Sequence, residues 1–446
     1  MKQRYDAKWV QVGGKFQPGI SVLVDDGTIA AVGPKEELAR SHPDAKVVDW
    51  NQFALLPGTV NAHNHSFQSL LRGIAADEPF LVWRDEALYK YTPALDAETL
   101  YAGALFAFGE MMQNGVTTVC DFFYVHGNGT ERDEAVIQAA KDLGIRFVMA
   151  RTMYDWAGAP NAYLESVDDA VLHTRNLAVK YQGDNMVTIH PAPHSPHGAS
   201  PAMIQAGHQL ARELNTPFHI HVAEEPFEVE EILRNFGARP VHYLDNLGVL
   251  DDSMIAVHLV WLDDSEIQLL GRRQVSLAYC PSSNMFLADG ITKIPRLRDV
   301  GVRIALGTDG ACSNNRISIF EEMRMTSLLQ KVDTLDATSI RASQTYAMGT
   351  SGGGEVLRLP VGQIAAGYQA DFVAVDTNHL SLCPSDANLL LSHIVYSMQP
   401  GAIRRVVVNG KIVVKDGELQ TVSNARVRNL VELSQARFAA VASGGQ

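Results

Sequence analysis

The feature that most constrains the fold of this chain is an alternation of short apolar runs with longer amphipathic stretches, which continues from about residue 55 to about residue 357. Such alternation is typical of βα units that build a parallel sheet. Eight apolar runs can be counted, so the pattern predicts an α/β fold in the form of a (β/α)8 barrel, or TIM barrel. The interval 66–115 is longer than one crossover requires and is predicted to add a lid or a pocket wall. The predicted strands end near His63, Asp121, Arg151, His194, Glu224, His258, Cys280 and Asp309.

Both ends of the chain show a different pattern, that of short strands joined by tight turns. Residues 20–24 and 29–32 flank an Asp-Asp-Gly turn, and residues 404–408 and 411–414 flank an Asn-Gly turn. Because two such ends can close into one small domain, we predict a composite β-sandwich. The predicted division is residues 1–56 and 362–422 for the two parts of the sandwich, 57–361 for the barrel and 423–446 for a C-terminal helix.

The charge and the apolar content of the chain argue against several classes of partner. Its formal net charge of -13 at pH 7 disfavours nucleic acid and anionic membranes. No apolar run reaches the roughly 18 residues of a membrane span, and the first residues lack the apolar stretch of a secretory signal. The cysteines are scattered, which fits a reducing compartment. We therefore expect a cytoplasmic protein that acts on a small molecule.

Ionisable residues occur where several of the predicted strands end. Buried parallel strands are apolar throughout, and barrel enzymes carry their active sites at the C-terminal rim. His63 and His65 end the first predicted strand, and alternate residues of a strand point to the same side. Two imidazoles would thus face one metal ion, although an isolated His-x-His pair fits two surface histidines equally well.

The end of the fifth predicted strand carries a histidine followed by a glutamate. His221 can supply a third nitrogen ligand, and Glu224 can reach a substrate without binding the metal. His219 competes with His221 as the ligand, and we prefer His221 because Glu224 then lies at the rim. Glu224 could also be a solvated acid at a helix N-terminus.

The sixth and eighth predicted strands end in His258 and Asp309. His258 taken alone fits a core histidine, whereas a carboxylate that follows the apolar residues 304–308 is costly to bury unpaired. A metal ion would remove that cost. Three imidazoles and one carboxylate suit Zn²⁺, with Fe²⁺ and Mn²⁺ as alternatives. We therefore predict one divalent ion per chain, held by His63, His65, His221 and Asp309.

These residues lie within a set of motifs that extends over nearly the whole chain. The motifs are Leu56-Pro57-Gly58, residues 70–73, Ala192 to Ser195, Pro281 to Asn284, Gly307 to Gly310, Ser313 to Asn315 and a Gly-x4-Gly-x2-Ala-Asp segment at 362–371. The chain thereby resembles the amidohydrolase superfamily, in its branch of cytosine and guanine deaminases and triazine hydrolases. The resemblance implies a barrel with a β-sandwich, hydrolytic deamination and, commonly, a homo-oligomer. No barrel lysine is placed to bridge two metals, so a mononuclear member is expected.

The resemblance also implies the roles of three catalytic residues. Asp309 would accept the proton of the metal-activated water while also contacting the metal. His258 would hold the hydroxide and stabilise the oxyanion, and Glu224 would protonate a ring or imino nitrogen and carry a proton to the leaving ammonia. A non-catalytic relative is disfavoured because no ligand or catalytic residue of this set is missing.

The substrate shell combines two subfamily patterns. Gln68, Arg84, Tyr124 and His194 resemble the shell of formiminoglutamate deiminases, in which Arg84 would bind a carboxylate or else pair with a neighbouring acid such as Asp85 or Glu86. That subfamily carries arginine where this chain has His197. Residues 308–315 look more like adenosine and S-adenosylhomocysteine deaminases, and Arg151 would bind the oxo edge of a heterocycle or cap the rim.

The predicted function is therefore hydrolytic deamination of a small amidine, either an N-heterocycle or a formimino compound. The alternative is a triazine-type hydrolase that releases chloride or an alkylamine. The same metal site would serve both reactions, because they differ only in the leaving group.

Overall fold

The computed structural model describes residues 2–443, and the described chain begins in a sheet of short strands. These elements form where the sequence pattern predicts them, with the Asp-Asp-Gly turn between the third and fourth strands. Their bounds are β1 (Gln3–Val12), β2 (Lys15–Gln17), β3 (Ile20–Asp25), β4 (Thr28–Pro34), α1 (Lys35–Ser41) and β5 (Lys46–Pro57).

Eight parallel strands follow, and they confirm the predicted (β/α)8 barrel. They are β6 (Thr59–Asn64), β7 (Val116–Phe123), β8 (Arg146–Met153), β9 (Val187–Pro193), β10 (Phe218–Val222), β11 (Met254–His258), β12 (Ser276–Tyr279) and β13 (Arg303–Leu306). They pair in the orders β6-β7-β8-β9 and β10-β11-β12-β13. Backbone hydrogen bonds join the two halves: the N–H of His221 donates to the carbonyl of His194 at 3.0 Å, and the N–H of Asp309 donates to that of His63 at 3.1 Å.

The segments between the barrel strands form the helical layer. Their helices are α2 (Phe80–Trp83), α3 (Ala97–Gln113), α4 (Glu131–Leu143), α5 (Val167–Lys180), α6 (Pro201–Leu214), α7 (Pro226–Phe236), α8 (Pro240–Asn246), α9 (Asp264–Arg272), α10 (Pro281–Phe286), α11 (Ile294–Asp299), α12 (Ile319–Thr334), α13 (Ala342–Met348) and α14 (Ser351–Leu357).

Helix α6 shows how local sequence produces one of these helices. The Ser200 hydroxyl accepts the N–H of Met203 at 3.2 Å, which satisfies one of the free donors of the first turn. Pro201 occupies the start of the helix, where no amide hydrogen is needed. Met203, Ile204 and Leu210 share the buried face. The amphipathic pattern over residues 200–214 predicted a helix here.

The long segment between β6 and α3 packs over the C-terminal end of the barrel. Besides α2 it contains short helical turns at Ser66–Leu71, Arg84–Tyr89 and Thr92–Ala94. Trp83 is buried, and its Nε1–H donates to the carbonyl of Cys312 at 3.2 Å. This segment therefore contributes a wall above the barrel, as its length predicted.

The C-terminal strands join the N-terminal ones in one sheet. They are β14 (Phe372–Asp376), β15 (Ile403–Val408), β16 (Lys411–Lys415) and β17 (Glu418–Leu419), with helices α15 (Leu390–Tyr396) and α16 (Asn424–Ser443). The strand order is β17-β16-β15-β14-β5-β1-β3-β4, with β2 paired to β1, and β14 is antiparallel to β5. The domain boundaries at residues 57, 362 and 423 stay a prediction, and residues 444–446 of the predicted last segment lie outside the described residues.

The two ends of this sheet fold over a common core. Tyr5, Trp50 and Phe372 are buried together, with ring centroids of Tyr5 5.0 and 5.5 Å from the other two. The two predicted turns meet at its edge, where a Cβ on Gly27 would lie 1.9 Å from Oδ1 of Asn409. Gly27 also has a φ of +76°, so this contact requires glycine. The two termini thus form one composite β domain.

A buried ion pair anchors this domain to the N-terminal end of the barrel. Arg146, at the start of β8, binds both carboxylate oxygens of Asp371 at 2.9 and 3.2 Å. Both side chains are almost fully buried. Asp371 also accepts the N–H of Asn409 at 2.7 Å. The pair therefore links the barrel to the strand and the turn of the composite domain.

We expect Asp371→Asn to destabilise the protein by about 3–5 kcal/mol, because it leaves the buried Arg146 guanidinium uncompensated. Urea unfolding followed by circular dichroism measures the change. Glu213→Gln, which removes the partner of Arg175 in an exposed pair, is the control and should leave the midpoint unchanged. An unchanged midpoint for Asp371→Asn would show that the pair does not hold the domains together.

Candidate metal centre and active site

Four side chains predicted to bind metal converge at the C-terminal rim of the barrel. His63 and His65 come from the end of β6, His221 from β10 and Asp309 from the turn after β13. Oδ1 of Asp309 lies 3.4 Å from Nε2 of His63 and 3.1 Å from Nε2 of His65. Nε2 of His221 lies 3.3 Å from Nε2 of His63. The ligand atoms of the three histidines lie within 4.8 Å of one another.

Backbone carbonyls orient two of the imidazoles. Nδ1–H of His65 donates to the carbonyl of Phe122 at 2.6 Å, and Nδ1–H of His221 donates to that of His194 at 3.0 Å. The Nε2 lone pairs of His65 and His221 therefore point at the cluster. In metal sites the other ring nitrogen of a ligand histidine is usually held in this way by a hydrogen bond.

The two oxygens of the Asp309 carboxylate differ, since one accepts hydrogen bonds and the other has no partner among the described residues. Oδ2 accepts the hydroxyls of Ser283 at 2.6 Å and Ser313 at 2.9 Å. Oδ1 is buried and has no hydrogen-bond partner among the described residues. An unpartnered carboxylate oxygen in such a place is costly unless a cation binds it.

The protonation states also fit a divalent cation. Burial lowers the pKa of His63 to about 3 and that of His221 well below its ordinary value, so both are neutral and can act as ligands. The pKa of Asp309 lies well below its ordinary value: burial raises it, but contacts with His63 and His65 outweigh that effect. The donor set is therefore an ionised carboxylate beside neutral imidazoles, which suits zinc.

His219 lies deeper in the barrel and does not join this cluster. Its Nε2 is 3.0 Å from Nδ1 of His190 and 3.7 Å from Sγ of Cys120, and all three residues are buried. His221 lies two residues further along β10, on the same face of the strand and nearer to the rim. The structure thus brings His221, and not its competitor, to His63.

The proposed proton shuttle lies beside the metal cluster. Glu224 follows β10, and its Oε1 is 3.3 Å from Nε2 of His258. Ligand atoms of Glu224, His258 and Asp309 lie within 4.8 Å of one another. Nδ1–H of His258 donates to Oδ1 of Asn284 at 2.9 Å, which leaves Nε2 to face Glu224.

Burial raises the pKa of Glu224 well above its ordinary value, and the neighbouring acids Asp289 and Glu228 raise it further. A raised pKa favours the protonated carboxyl, which can donate to Nε2 of His258. Glu224 is buried, so it is not the solvated helix cap that the sequence left open. Its backbone N–H donates to Glu228 at 3.0 Å.

The backbone at these positions is strained. Ala223, His258 and Asp309 have φ values of +53°, +71° and +58°. Residues other than glycine rarely adopt such values, and they persist where the surrounding structure holds them. Each stands at a strand end beside the cluster, so the strain aims the catalytic side chains.

A cavity of about 710 Å³, counted to its open mouth, leads to this cluster. Arg84 pairs with Asp85 at 2.8 Å, which is one of the two roles that the sequence allowed for it. Its guanidinium also lies 4.7 Å from the ring of Tyr89, and both residues line the cavity. Five residues of the predicted substrate shell line the cavity: Gln68, Arg84, Tyr124, His194 and His197.

Arg151, the sixth predicted substrate residue, does not line the cavity, and that prediction is wrong. Its side chain is fully buried and binds Glu165 at 2.7 and 2.9 Å and Asp133 at 3.1 Å. The guanidinium points away from the barrel axis because two acids outside the barrel strands compensate its charge. The sequence shows that Arg151 is near a strand end but not which way it points.

Aromatic residues of the cavity were missed by the sequence interpretation. They stand in the wall segment before α3, in the loop after β8 and in the first turn of α7: Phe80, Trp83, Tyr89, Tyr154, Trp156, Tyr163 and Phe227. Their position in segments that follow barrel strands was the available signal. Ser283, Asn284 and Ser313 lie in quoted motifs, but their contacts with Asp309 and His258 follow only from the fold.

A family model described as the amidohydrolase family matches residues 54–413. The chain belongs to the amidohydrolase family. A second model, for the imidazolonepropionase-like composite domain of bacteria, matches residues 22–45 of this amidohydrolase.

Curated relatives of this amidohydrolase are similar over nearly their whole length. A 5-methylthioadenosine/S-adenosylhomocysteine deaminase of Syntrophobacter fumaroxidans is 34% identical, with 92% of this chain and 91% of the relative covered. A 5'-deoxyadenosine deaminase of Methanothermobacter thermautotrophicus is 36% identical, with 94% of each chain covered.

Solved structures confirm the fold of this amidohydrolase. An adenosine deaminase from Xanthomonas campestris, solved with bound zinc, is 30% identical with a TM-score of 0.91 over 98% of each chain. An atrazine chlorohydrolase from Arthrobacter aurescens complexed with zinc has a TM-score of 0.90, with 97% of this chain and 99% of the other covered. At 22% identity, the second likeness concerns the fold alone.

We expect His221→Gln to lower the affinity for zinc by more than roughly 10–100-fold. That range is the usual cost of removing a residue that only hydrogen-bonds to a metal ligand. The matched control is His219→Gln, two residues away on the same strand, which should keep about one zinc per chain. Metal content after dialysis against a zinc buffer measures both. Equal retention by the two variants would exclude His221 as a ligand.

Proposed function

We propose that this amidohydrolase hydrolyses the C–N bond of an exocyclic amino group on a small nitrogen heterocycle and releases ammonia, with one divalent metal ion, zinc, as cofactor. It is thus a hydrolase of C–N bonds other than peptide bonds. The observation that carries the proposal is the Glu224–His258 pair, 3.3 Å apart and adjacent to Asp309, at the bottom of the cavity. The curated relatives named as deaminases of adenosine-type compounds support it.

The metal would be held by His63, His65, His221 and Asp309. When bound, such an ion polarises the attacking water and lowers its pKa. The free oxygen of Asp309 and the inward Nε2 atoms are the groups that would hold it.

Asp309 is the group prepared to accept a proton from the attacking water. It is ionised, because its pKa lies well below its ordinary value: burial acts to raise it, but contacts with His63 and His65 outweigh burial. Two serine hydroxyls occupy Oδ2, so Oδ1 is the atom available to the proton. Those hydroxyls also keep the carboxylate from turning during the reaction.

Glu224 is the group prepared to donate a proton to the substrate. As the water oxygen bonds to the amidine carbon, the C=N electron pair moves to the ring nitrogen, which takes the Glu224 proton. The carbon is then tetrahedral. The Glu224 carboxylate can pass the proton received by Asp309 to the amino group. As the C–N bond breaks and ammonia leaves, the C=O bond forms and the remaining hydroxyl proton returns to Glu224, which restores its starting state.

His258 positions the reacting oxygen. Because its Nδ1–H donates to Asn284, neutral His258 presents an acceptor at Nε2. This atom can accept a hydrogen bond from the attacking water. Its predicted second role, stabilisation of the oxyanion, needs a proton on Nε2, which the contact with Glu224 can supply.

The substrate would lie between this catalytic group and the polar side chains of the cavity. Nε2 of Gln68 donates to the hydroxyl of Tyr124 at 3.4 Å, and Nδ1 of His194 lies 2.9 Å from Oγ of Ser195. These contacts hold the polar groups of Gln68, Tyr124 and His194 in place. Arg84 already has Asp85 as a partner, which favours an uncharged heterocycle over a formimino amino acid. His197 would face the same end of the substrate.

Two further proposals concern the surroundings of the enzyme. The cysteines are free among the described residues, which supports the cytoplasm as its location. Within that part of the chain, no helix combines the length and the apolar character needed to cross a bilayer. A homo-oligomer stays an expectation from the family resemblance, which gel filtration with light scattering would test.

We expect ammonia release from one class in a panel of adenosine derivatives, purines, pterins, pyrimidines, triazines and formimino amino acids. Chelation should abolish the release and zinc should restore it. Ammonia release from a formimino amino acid alone would show that the substrate is a formimino compound and not a heterocycle. Chloride or alkylamine from a triazine, without ammonia from any class, would favour the triazine-type hydrolase.

We expect Glu224→Gln to keep zinc and the far-ultraviolet circular dichroism spectrum but to lower kcat by about 10²–10⁴-fold, because the amide cannot donate a shuttled proton. Glu230→Gln, on the exposed face of α7, is the control and should retain full activity. Full activity in Glu224→Gln would contradict the role assigned to Glu224.

A further inference from the structure

Arg151 lies at the centre of a buried charged cluster behind the cavity wall. Its NH1 and NH2 bind the two oxygens of Glu165 at 2.7 and 2.9 Å, and its Nε lies 3.1 Å from Oδ1 of Asp133. Such a two-pronged arrangement fixes both position and orientation. The exposed fraction of these three side chains is 0–5%.

Two histidines complete the cluster. Nδ1 of His126 lies 2.8 Å from Asp133, and its Nε2 lies 2.9 Å from the carbonyl of Thr152. Both ring nitrogens of His126 therefore face oxygen atoms of the protein. Nδ1 of His173 lies 2.6 Å from Oε1 of Glu165. Arg151 thus lies between the carboxylates of Asp133 and Glu165, which compensate its buried charge.

This cluster holds both ends of the loop formed by residues 154–165. The loop leaves β8 just after Arg151 and returns at Glu165, whose N–H donates to the carbonyl of Tyr154 at 3.0 Å. The N–H of Gly127 donates to the carbonyl of Ala162 at 2.9 Å, which ties the loop to the segment after β7.

The same loop supplies one wall of the active-site cavity. Tyr154, Trp156 and Tyr163 line the cavity, and the ring of Tyr154 lies 4.2 Å from that of His194. Tyr163 also reaches the segment above the barrel, since its hydroxyl lies 2.6 Å from Oγ1 of Thr92. A shift of the loop would therefore move both this wall of the cavity and the segment above the barrel that contains Thr92.

We propose that Arg151 and Glu165 are positioning residues, which set substrate affinity by holding the loop of residues 154–165 against the cavity. They act through Tyr154, Trp156 and Tyr163 and do not touch the substrate. The kinetic consequence rests on the proposed function, whereas the consequence for the loop does not.

The test compares Glu165→Gln with Asp371→Asn. Both variants remove a carboxylate from a buried arginine pair, but the Arg146–Asp371 pair lies at the opposite end of β8 from the cavity. We expect Glu165→Gln to lower kcat/KM by roughly 10–100-fold, mainly through a higher KM, because misplacement by about 1 Å is enough for such losses. Asp371→Asn should keep KM unchanged at a temperature where it is folded.

Hydrogen exchange of the zinc-loaded proteins provides a readout that needs no substrate. In Glu165→Gln the amides of residues 154–165 should exchange at least tenfold faster than in the parent protein, and in Asp371→Asn they should not. Should Glu165→Gln fail to fold, His173→Gln, which weakens the same cluster at a partly exposed position, takes its place with the same expectations.

Unchanged exchange in the loop would overturn the proposal whatever the substrate is. Faster exchange with an unchanged KM would overturn its kinetic part. A failure of the proposed function is distinguishable from both, because it would appear as absence of ammonia release in the parent protein while the exchange difference persisted.

Discussion

The active site depends on one buried carboxylate that the protein alone leaves half satisfied. Asp309 is ionised, yet among the described residues only Oδ2 has hydrogen-bond donors, from Ser283 and Ser313. Its Oδ1 faces Nε2 of His63 and Nε2 of His65. Desolvation of such a group is costly, so a cation bound there stabilises the fold and provides the chemistry at the same time. The histidines, the carbonyls that orient them and the two serines all serve this one requirement.

The opposite requirement applies to Glu224, a few ångströms away. Burial and the acids around it raise the pKa of Glu224, whereas contacts with His63 and His65 lower the pKa of Asp309 despite its burial. Two carboxyl groups with pKa values displaced in opposite directions supply an acid and a base in one cavity. The barrel makes this possible because the ends of all its strands meet at one rim. The positive φ values of His258 and Asp309 are the strain that this convergence requires.

Behind the catalytic group, the structure uses further buried polar contacts to keep side chains in place. Asn284 determines which nitrogen of His258 faces Glu224. The cluster around Arg151 contacts both ends of a loop that carries three aromatic residues of the cavity. None of these contacts involves neighbours in sequence. The two-pronged contact between Arg151 and Glu165 fixes both position and orientation, which favours a fixed lining of the cavity.

The sequence by itself determined the barrel, the composite terminal domain and the metal-binding candidates. Apolar periodicity, the turn residues of the two hairpins and the Ser200 cap are local signals, and they act within a few residues. The alternation of side chains also relates His63 to His65. Only the tertiary structure decided the rest: His221 instead of His219, the partners of Asp309 and the direction of Arg151. Arg151 and His194 both stand near strand ends. Asp133 from the preceding helix α4 and Glu165 from the following loop bind Arg151, whereas no acid binds His194 within the described chain. Such pairings join residues far apart in sequence, so no local pattern encodes them.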